Sequence, residues 1–204
     1  MKAPEAVALG LRAHSGWAAL VAVAGTPRSP EILLRRRVEL ADPDFEGSKQ
    51  PYHAAEGKNL PAAEKIIGRC TGDARRLAGE ALDEALADLK TEKRPAVACG
   101  LLLASGRPLP GLEVILASHA LIHTADGELF RDALAAAADE RRLPVTRIRE
   151  KEISARAAES LGIPEEDLAQ CLKSAGRLIG SPWTQDQKLA ALAAWVALAA
   201  IPCR

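Results

Sequence analysis

Three short apolar segments follow one another in residues 5–40, which read EAVALGLRAHSGWAALVAVAGTPRSPEILLRRRVEL. Residues 6–11 and 17–24 flank the polar stretch RAHSG, and its His-Ser-Gly sequence is typical of a turn. A Pro-containing turn at 26–30 leads into residues 31–40, where three consecutive arginines suit an edge strand or a solvated face. The pattern predicts an antiparallel meander of three strands.

Helical and strand-like segments alternate in the rest of the chain. A 3.6-residue apolar period extends from Pro61 to about Lys93, and the apolar run PAVACGLLLA at 95–104 is typical of a strand buried on both faces. The other predicted elements are a strand at 143–148 and helices at 154–162, 164–179 and 184–200. This order predicts an α/β fold whose mixed central sheet, three antiparallel strands and then parallel ones, is flanked by helices.

The segment at 112–142, LEVILASHALIHTADGELFRDALAAAADERR, contains two of the four histidines. In a helix, His119, His123, Gly127 and Arg131 would fall on one face because they are spaced four residues apart. Two imidazoles and a guanidinium on one stripe can support binding or catalysis.

The secondary structure of this segment has two interpretations. The apolar period favours a helix from Leu112 that is interrupted near Asp126-Gly127. The alternative makes residues 112–117 a strand and Ser118 the cap of the helix that follows.

Length and composition indicate one domain over residues 1–204, with a long loop at about 42–60. The formal net charge is zero and aromatic residues are 3%, so no overall field or stacking platform favours nucleic acid, although a local patch can still bind it. The cysteines show no CxxC spacing, and no secretory segment or membrane-length apolar stretch occurs. We therefore expect a cytoplasmic protein that does not insert into a membrane.

Short motifs resemble the ribonuclease H-like superfamily, in particular its branch of RuvC-type junction resolvases. The first strand ends in Leu-Gly-Leu-Arg at 9–12, where the resolvases have a Gly-Ile-Asp stretch. Arg-Arg-Leu-Pro-Val at 141–145 is similar to the start of their fifth strand. Residues 186–193, DQKLAALA, are similar to their closing helix with its Asp-x-x-Asp-Ala-Leu-Ala pattern. The strand and helix order also matches that superfamily.

The resemblance implies a nuclease site that this chain lacks in large part. Those nucleases bind two divalent metals with carboxylates from the first strand, the fourth strand and the closing helix. Here Arg12 stands at the first-strand position, the fourth strand has no carboxylate, and Leu189 replaces the second acid of the closing helix. Only Asp186 remains, and one carboxylate does not hold two hard cations.

A replacement site is expected where the first strand meets the closing helix. In such a fold His14, just after the first strand, would lie near Asp186, and α/β sheets tend to place their sites at such strand ends. The candidate catalytic residues are His14, His119, His123, Glu128 and Asp186. The candidate ligand-binding residues are Arg12, Ser118, Arg131 and Lys188.

Structural roles also account for several of these residues. A histidine among apolar neighbours is more often a hydrogen-bonded core residue, and the HExxH glutamate is missing between His119 and His123. Glu128 and Arg131 suit a surface ion pair, and Asp186 suits the first turn of a helix.

Three hypotheses on function follow from these patterns. The first is a ribonuclease H-like protein without an intact two-metal site that binds nucleic acid or a protein partner. The second is a hydrolase or nuclease with a rebuilt His/Asp site that binds one divalent metal. The third is an assembly protein whose alanine-rich helices pack against a second copy, as a homo-oligomer. Whether the protein is an enzyme is left open by the sequence.

Overall fold

The computed structural model describes residues 5–26, 29–104, 106 and 108–201. Five strands form one sheet in the order β3-β2-β1-β4-β5. The strands are β1 (Val7–His14), β2 (Trp17–Thr26), β3 (Ser29–Glu39), β4 (Ala96–Leu103) and β5 (Val145–Arg149). The first three pair antiparallel, while β4 pairs parallel with β1 and β5 parallel with β4. The predicted mixed sheet is confirmed.

Helices cover both faces of the sheet. They are α1 (Pro51–Ala55), α2 (Leu60–Thr91), α3 (Leu112–Leu116), α4 (His119–Glu140), α5 (Ile153–Leu161), α6 (Glu165–Ile179) and α7 (Gln185–Ala199). A 3₁₀ turn, Glu150–Glu152, connects β5 to α5. Helices α2 and α4 pack on one face. On the other face α7 packs on the central strands, α5 packs against α7, and α6 lies beside α5 on the β3 side of the sheet. Among the described helices, none is long and apolar enough to cross a membrane.

The backbone of α7 lies directly on two glycines of the central strands. A Cβ atom on Gly10 would come within 1.8 Å of the Ala190 carbonyl oxygen, and one on Gly100 within 2.0 Å of that of Ala193. The alanines of α7 and the missing side chains in β1 and β4 therefore allow an unusually close approach. The predicted capping box between Thr184 and Gln187 starts this helix.

Three details differ from the sequence predictions. Strand β1 extends to His14, so the turn to β2 contains only residues 15–16. Residues 112–116 are helical, and a break follows at residues 117–118. The break predicted near Asp126-Gly127 is not found, since α4 continues through these two residues. The long loop contains the one-turn helix α1. The turn predicted at 26–30 includes residues 27 and 28, which lie outside the described residues.

Arginines occupy both edge strands of the sheet. On β3, Arg35 donates to the carbonyl oxygen of Gly180 at 2.9 Å, and Arg36 forms ion pairs with acidic side chains of α2. On β5, Arg147 and Arg149 are about half-exposed. The prediction that the arginine run lies on an edge strand is confirmed.

Candidate functional site

One row of β1 residues explains why the end of this strand meets the start of α7. Alternate residues of a strand share a face, so Gly10, Arg12 and His14 all point to the side of α7. The helix lies on Gly10 through Ala190. Asp186 lies one helical turn before Ala190. One turn of the helix covers about the same distance along the sheet as the two strand residues that separate Gly10 from Arg12. The row therefore presents Arg12 and His14 to Asp186.

Arg12 is held by two carboxylates. Its Nε and Nη2 atoms donate to the two oxygens of Glu150 at 3.0 and 2.8 Å, and Nη1 donates to Asp186. The hydrogen bond to Glu150, together with the negative charges of Glu150 and Asp186, raises the pKa of Arg12 despite its partial burial. The cation is therefore permanently present at this point.

His14 shares the same carboxylate. Its Nε2 atom lies 2.9 Å from Oδ1 of Asp186. The imidazole stacks on the Trp17 ring with centroids 4.2 Å apart, and the Arg37 guanidinium lies 3.8 Å from the Trp17 centroid. Stacking on one side and the carboxylate contact on the other fix the orientation of the imidazole.

The donor set at this position does not fit two divalent metals. Asp186 and Glu150 both face the Arg12 guanidinium, which supplies the positive charge that a metal would bring. Hard cations need several oxygen ligands, and a guanidinium offers none. The single guanidinium thus offsets part of the negative charge of the two carboxylates.

An open cleft of about 430 Å³ adjoins this cluster. Its walls come from the ends of β1 and β4, from the turn after β5 and from one face of α4. The lining side chains with polar atoms are Arg12, His14, Ser15, His123, Thr124, Arg131 and Glu150. The cleft thus joins His14 to the histidine face of α4.

Arg131 reaches the cleft as half of an ion pair. Its Nη1 atom lies 3.1 Å from Oε1 of Glu128, and Gly127 leaves room for the guanidinium, since a Cβ there would come within 2.8 Å of Nη1. Burial raises the pKa of Glu128, and the charge of Arg131 opposes that change.

The other two predicted histidines belong to a second cluster. His119 and His123 lie side by side on α4, with their Nε2 atoms 3.1 Å apart, and His53 of α1 completes the group. His53 was not among the sequence candidates, although it lies in the long loop. Asp126 and Glu150 were missed as well, because their partners are 73 and 138 residues away in the chain.

Two predicted residues lie apart from both clusters. Lys188 lines a separate groove between α6 and α7 together with Lys173. Successive helical residues are about 100° apart, so Lys188 and Asp186 leave α7 in different directions. Ser118 is the N-terminal cap residue of α4, but its side chain makes no capping hydrogen bond. The structure does not bring either residue to the cleft.

Comparison with known proteins supports the fold and leaves the function open. No protein-family model and no curated protein matches the chain. Among solved structures, RuvC of Thermus thermophilus in complex with a Holliday junction substrate is similar, with a TM-score of 0.55 and 15% identity over 93% of this chain and 91% of that one. Thermus thermophilus RuvC is also similar in a second structure, with a TM-score of 0.52 and 14% identity over the same shares. The chain has a RuvC-like, ribonuclease H-like fold.

Proposed function

We propose that the protein binds nucleic acid along a surface from the β5 edge of the sheet to the Arg12 cleft, without two-metal cleavage. The observation that carries this proposal is the Arg12 guanidinium between Glu150 and Asp186. It places a guanidinium, already paired with two carboxylates, at the end of β1, where the resolvases are expected to have a metal-binding carboxylate, and this argues against a two-metal site. The fold adds support, since one RuvC structure of this fold holds a Holliday junction substrate.

A groove of about 370 Å³ along β5 provides further positive charge. Arg147, Arg149 and Arg156 line it together with Glu152. Each arginine pairs with a carboxylate, but these side chains are about half-exposed. Exposed ion pairs contribute only about 0–1 kcal/mol, so a phosphate can replace the carboxylate at little cost. The groove and the Arg12 cleft are neighbours at the end of β5, where Arg149 lines the groove and Glu150 lines the cleft.

Binding would depend on this local charge alone. The chain has 27 basic and 27 acidic residues, so no net charge attracts a polyanion from a distance. We therefore expect modest affinity and a clear salt dependence, with little preference for base sequence.

Fluorescence anisotropy with labelled four-way junction, duplex and single-stranded DNA, in EDTA at several salt concentrations, tests the proposal. We expect the logarithm of affinity to fall linearly with the logarithm of salt, by about 0.9 for each phosphate contacted in duplex DNA. The double variant Arg149→Gln/Arg156→Gln should weaken binding and reduce this slope by about two. The matched control is Arg76→Gln, because Arg76 of α2 is another half-exposed arginine in an ion pair.

Two results would overturn the proposal. The first is an absence of salt-dependent binding to every DNA form, or an equal loss in the Arg76→Gln control. The second is Mg²⁺-dependent cleavage of bound DNA that disappears in Asp186→Asn, because this would demonstrate a working carboxylate site.

The second candidate function is a hydrolase with a rebuilt His/Asp site. It is favoured by the 2.9 Å contact between His14 and Asp186 and by the cleft that His14 shares with His123. Asp186 would orient His14 as a general base. Phosphodiester cleavage that is lost in His14→Asn, at an unchanged melting temperature, would support this function. No cleavage with Mg²⁺, Mn²⁺ or Zn²⁺ would eliminate it.

A further inference from the structure

Three of the four histidines converge at one end of α4. His119 and His123 are one helical turn apart, and His53 is placed against them by α1. The potential ligand atoms of the three all lie within 4.8 Å of one another. Ring centroids are 4.4 to 5.2 Å apart, and the rings meet edge to face. Among the residues that the structure describes, no second group of three potential ligands is this compact.

The exposure of these rings argues against a packing role. The side chain of His119 is 65% exposed, and His123 is exposed as well. A histidine retained for the core would be buried and paired with another polar group. Here the Nε2 atoms of His119 and His123 face each other at 3.1 Å instead. Without a cation, one ring can donate its Nε2–H to the other. With both Nε2 atoms deprotonated, the two lone pairs face the same space and can bind one shared cation.

Asp126 is the independent observation that points to a ligand. Its carboxylate is 2% exposed, on the inner side of α4. One oxygen accepts the backbone N–H of Tyr52 at 2.7 Å, and the other lies 2.5 Å from Nδ1 of His53. A carboxylate at Nδ1 keeps the proton on that atom, which leaves the Nε2 lone pair of His53 free for a metal. Metal-binding histidines commonly have such a carboxylate behind them.

We propose that His53, His119 and His123 bind one divalent transition metal of the Zn²⁺ type. Imidazole nitrogens suit Zn²⁺, Co²⁺, Ni²⁺ and Cu²⁺, whereas Mg²⁺ and Ca²⁺ require oxygen ligands. Three protein ligands leave a fourth position of a tetrahedral ion for water or an exchangeable anion. His123 also lines the Arg12 cleft, so the three histidines lie beside it. The proposal does not depend on nucleic-acid binding.

The test is a titration of metal-free full-length protein with Zn²⁺ by calorimetry and with Co²⁺ by visible absorption. We expect one equivalent of Zn²⁺ per chain and the absorption bands of tetrahedral Co²⁺. His53→Gln, His119→Gln and His123→Gln should each weaken Zn²⁺ binding by at least about 100-fold. Asp126→Asn should weaken it by about 10–100-fold, as changes behind metal ligands do. The matched control is His14→Gln, which removes the one histidine outside the cluster.

The His53 and Asp126 variants separate a built site from casual binding by two exposed histidines. Adventitious binding needs only His119 and His123, so unchanged affinity in His53→Gln would overturn the proposal. An equal loss in His14→Gln, or no Zn²⁺ binding by the wild-type protein, would overturn it as well. His119→Gln alters an exposed side chain, so this variant remains informative even where Asp126→Asn fails to fold.

Discussion

Replacing Gly100 by alanine is expected to displace α7 from the sheet. A Cβ at this position would lie 2.0 Å from the carbonyl oxygen and 2.4 Å from the carbonyl carbon of Ala193. Both atoms are backbone, so no side-chain rotation can relieve the overlap. Restoring an ordinary carbon–oxygen contact requires the helix to move by roughly 1.5 Å, since attraction is optimal only near 3.5 Å or beyond.

The expected loss of stability is about 3 kcal/mol. Overpacked cores typically lose about 1–3 kcal/mol. The upper end applies here because Ala193 and Ala194 are fully buried, and a shift of α7 also loosens its contacts with the neighbouring core. For a domain of this size each kcal/mol lowers the melting temperature by about 2–4 °C, which predicts a fall of roughly 6–12 °C.

A double-mutant cycle with Gly10→Ala tests the cause. The Gly10 variant meets the same helix, at the carbonyl oxygen of Ala190. One movement of α7 relieves both overlaps, so the double variant should lose less than the sum of the two single losses. We expect a coupling of at least about 1 kcal/mol, within the range found for residues that share a backbone shift.

Urea unfolding supplies the measurement, and Gly72→Ala is the control. Gly72 lies in α2, and a Cβ there would have no neighbour within 4 Å. This change should stabilise the protein by about 0.5–1 kcal/mol, because glycine is unfavourable inside a helix. A Gly100→Ala loss below about 0.5 kcal/mol, which is typical of surface changes, would refute the reasoning, and so would full additivity with Gly10→Ala.

Three further predictions concern charge and thiol chemistry. Arg12→Asp should lower the melting temperature in EDTA, because three carboxylates then face one another. Mg²⁺ at ten times its Kd should raise the free energy of unfolding of this variant by about 1.4 kcal/mol, and an equal effect in the wild type would contradict the prediction. Burial raises the pKa of Glu128, so ionisation of this carboxyl opposes folding and the wild type loses this stability as the pH rises. The free energy of unfolding of Glu128→Gln relative to wild type should therefore increase from pH 4 to pH 7 in urea, and a constant difference would count against the prediction. Burial raises the pKa of Cys70 to about 11 and that of Cys99 to about 12, so iodoacetamide at pH 8 should label the more exposed Cys171 before these two, as read by peptide mapping. Labelling of Cys99 before Cys171 would be the contrary result.

The sheet was predictable because its signals are local. Apolar runs separated by turn residues give the strands of the meander, and a helical period between later runs implies parallel connections. The end of β1 was harder to place, because Arg12 and His14 interrupt the apolar pattern. In the structure both side chains remain on the strand, in the same row as Gly10, because the partners of the row are on α7.

The histidine cluster was only half visible in the sequence. The spacing of His119 and His123 showed that they share a helix face, but His53 reaches them through a contact between distant parts of the chain. Asp126-Gly127 resembled a helix break, since both residues have low helix propensity. Tertiary contacts outweigh that preference here: Asp126 accepts two hydrogen bonds from α1, and Gly127 makes room for Arg131.

The arginines of the two edge strands have a consequence for association between molecules. An edge strand presents unpaired N–H and C=O groups, which can pair with the edge of another molecule and begin aggregation. On β3, Arg35 binds the chain just after α6 and Arg36 binds α2, so a second strand would have to displace these contacts and bury charge. On β5, Arg147 and Arg149 place two positive charges on a strand of only 5 residues. Both edges therefore resist pairing with a strand of another molecule, and aggregation through the edges of this sheet is disfavoured even at high concentration.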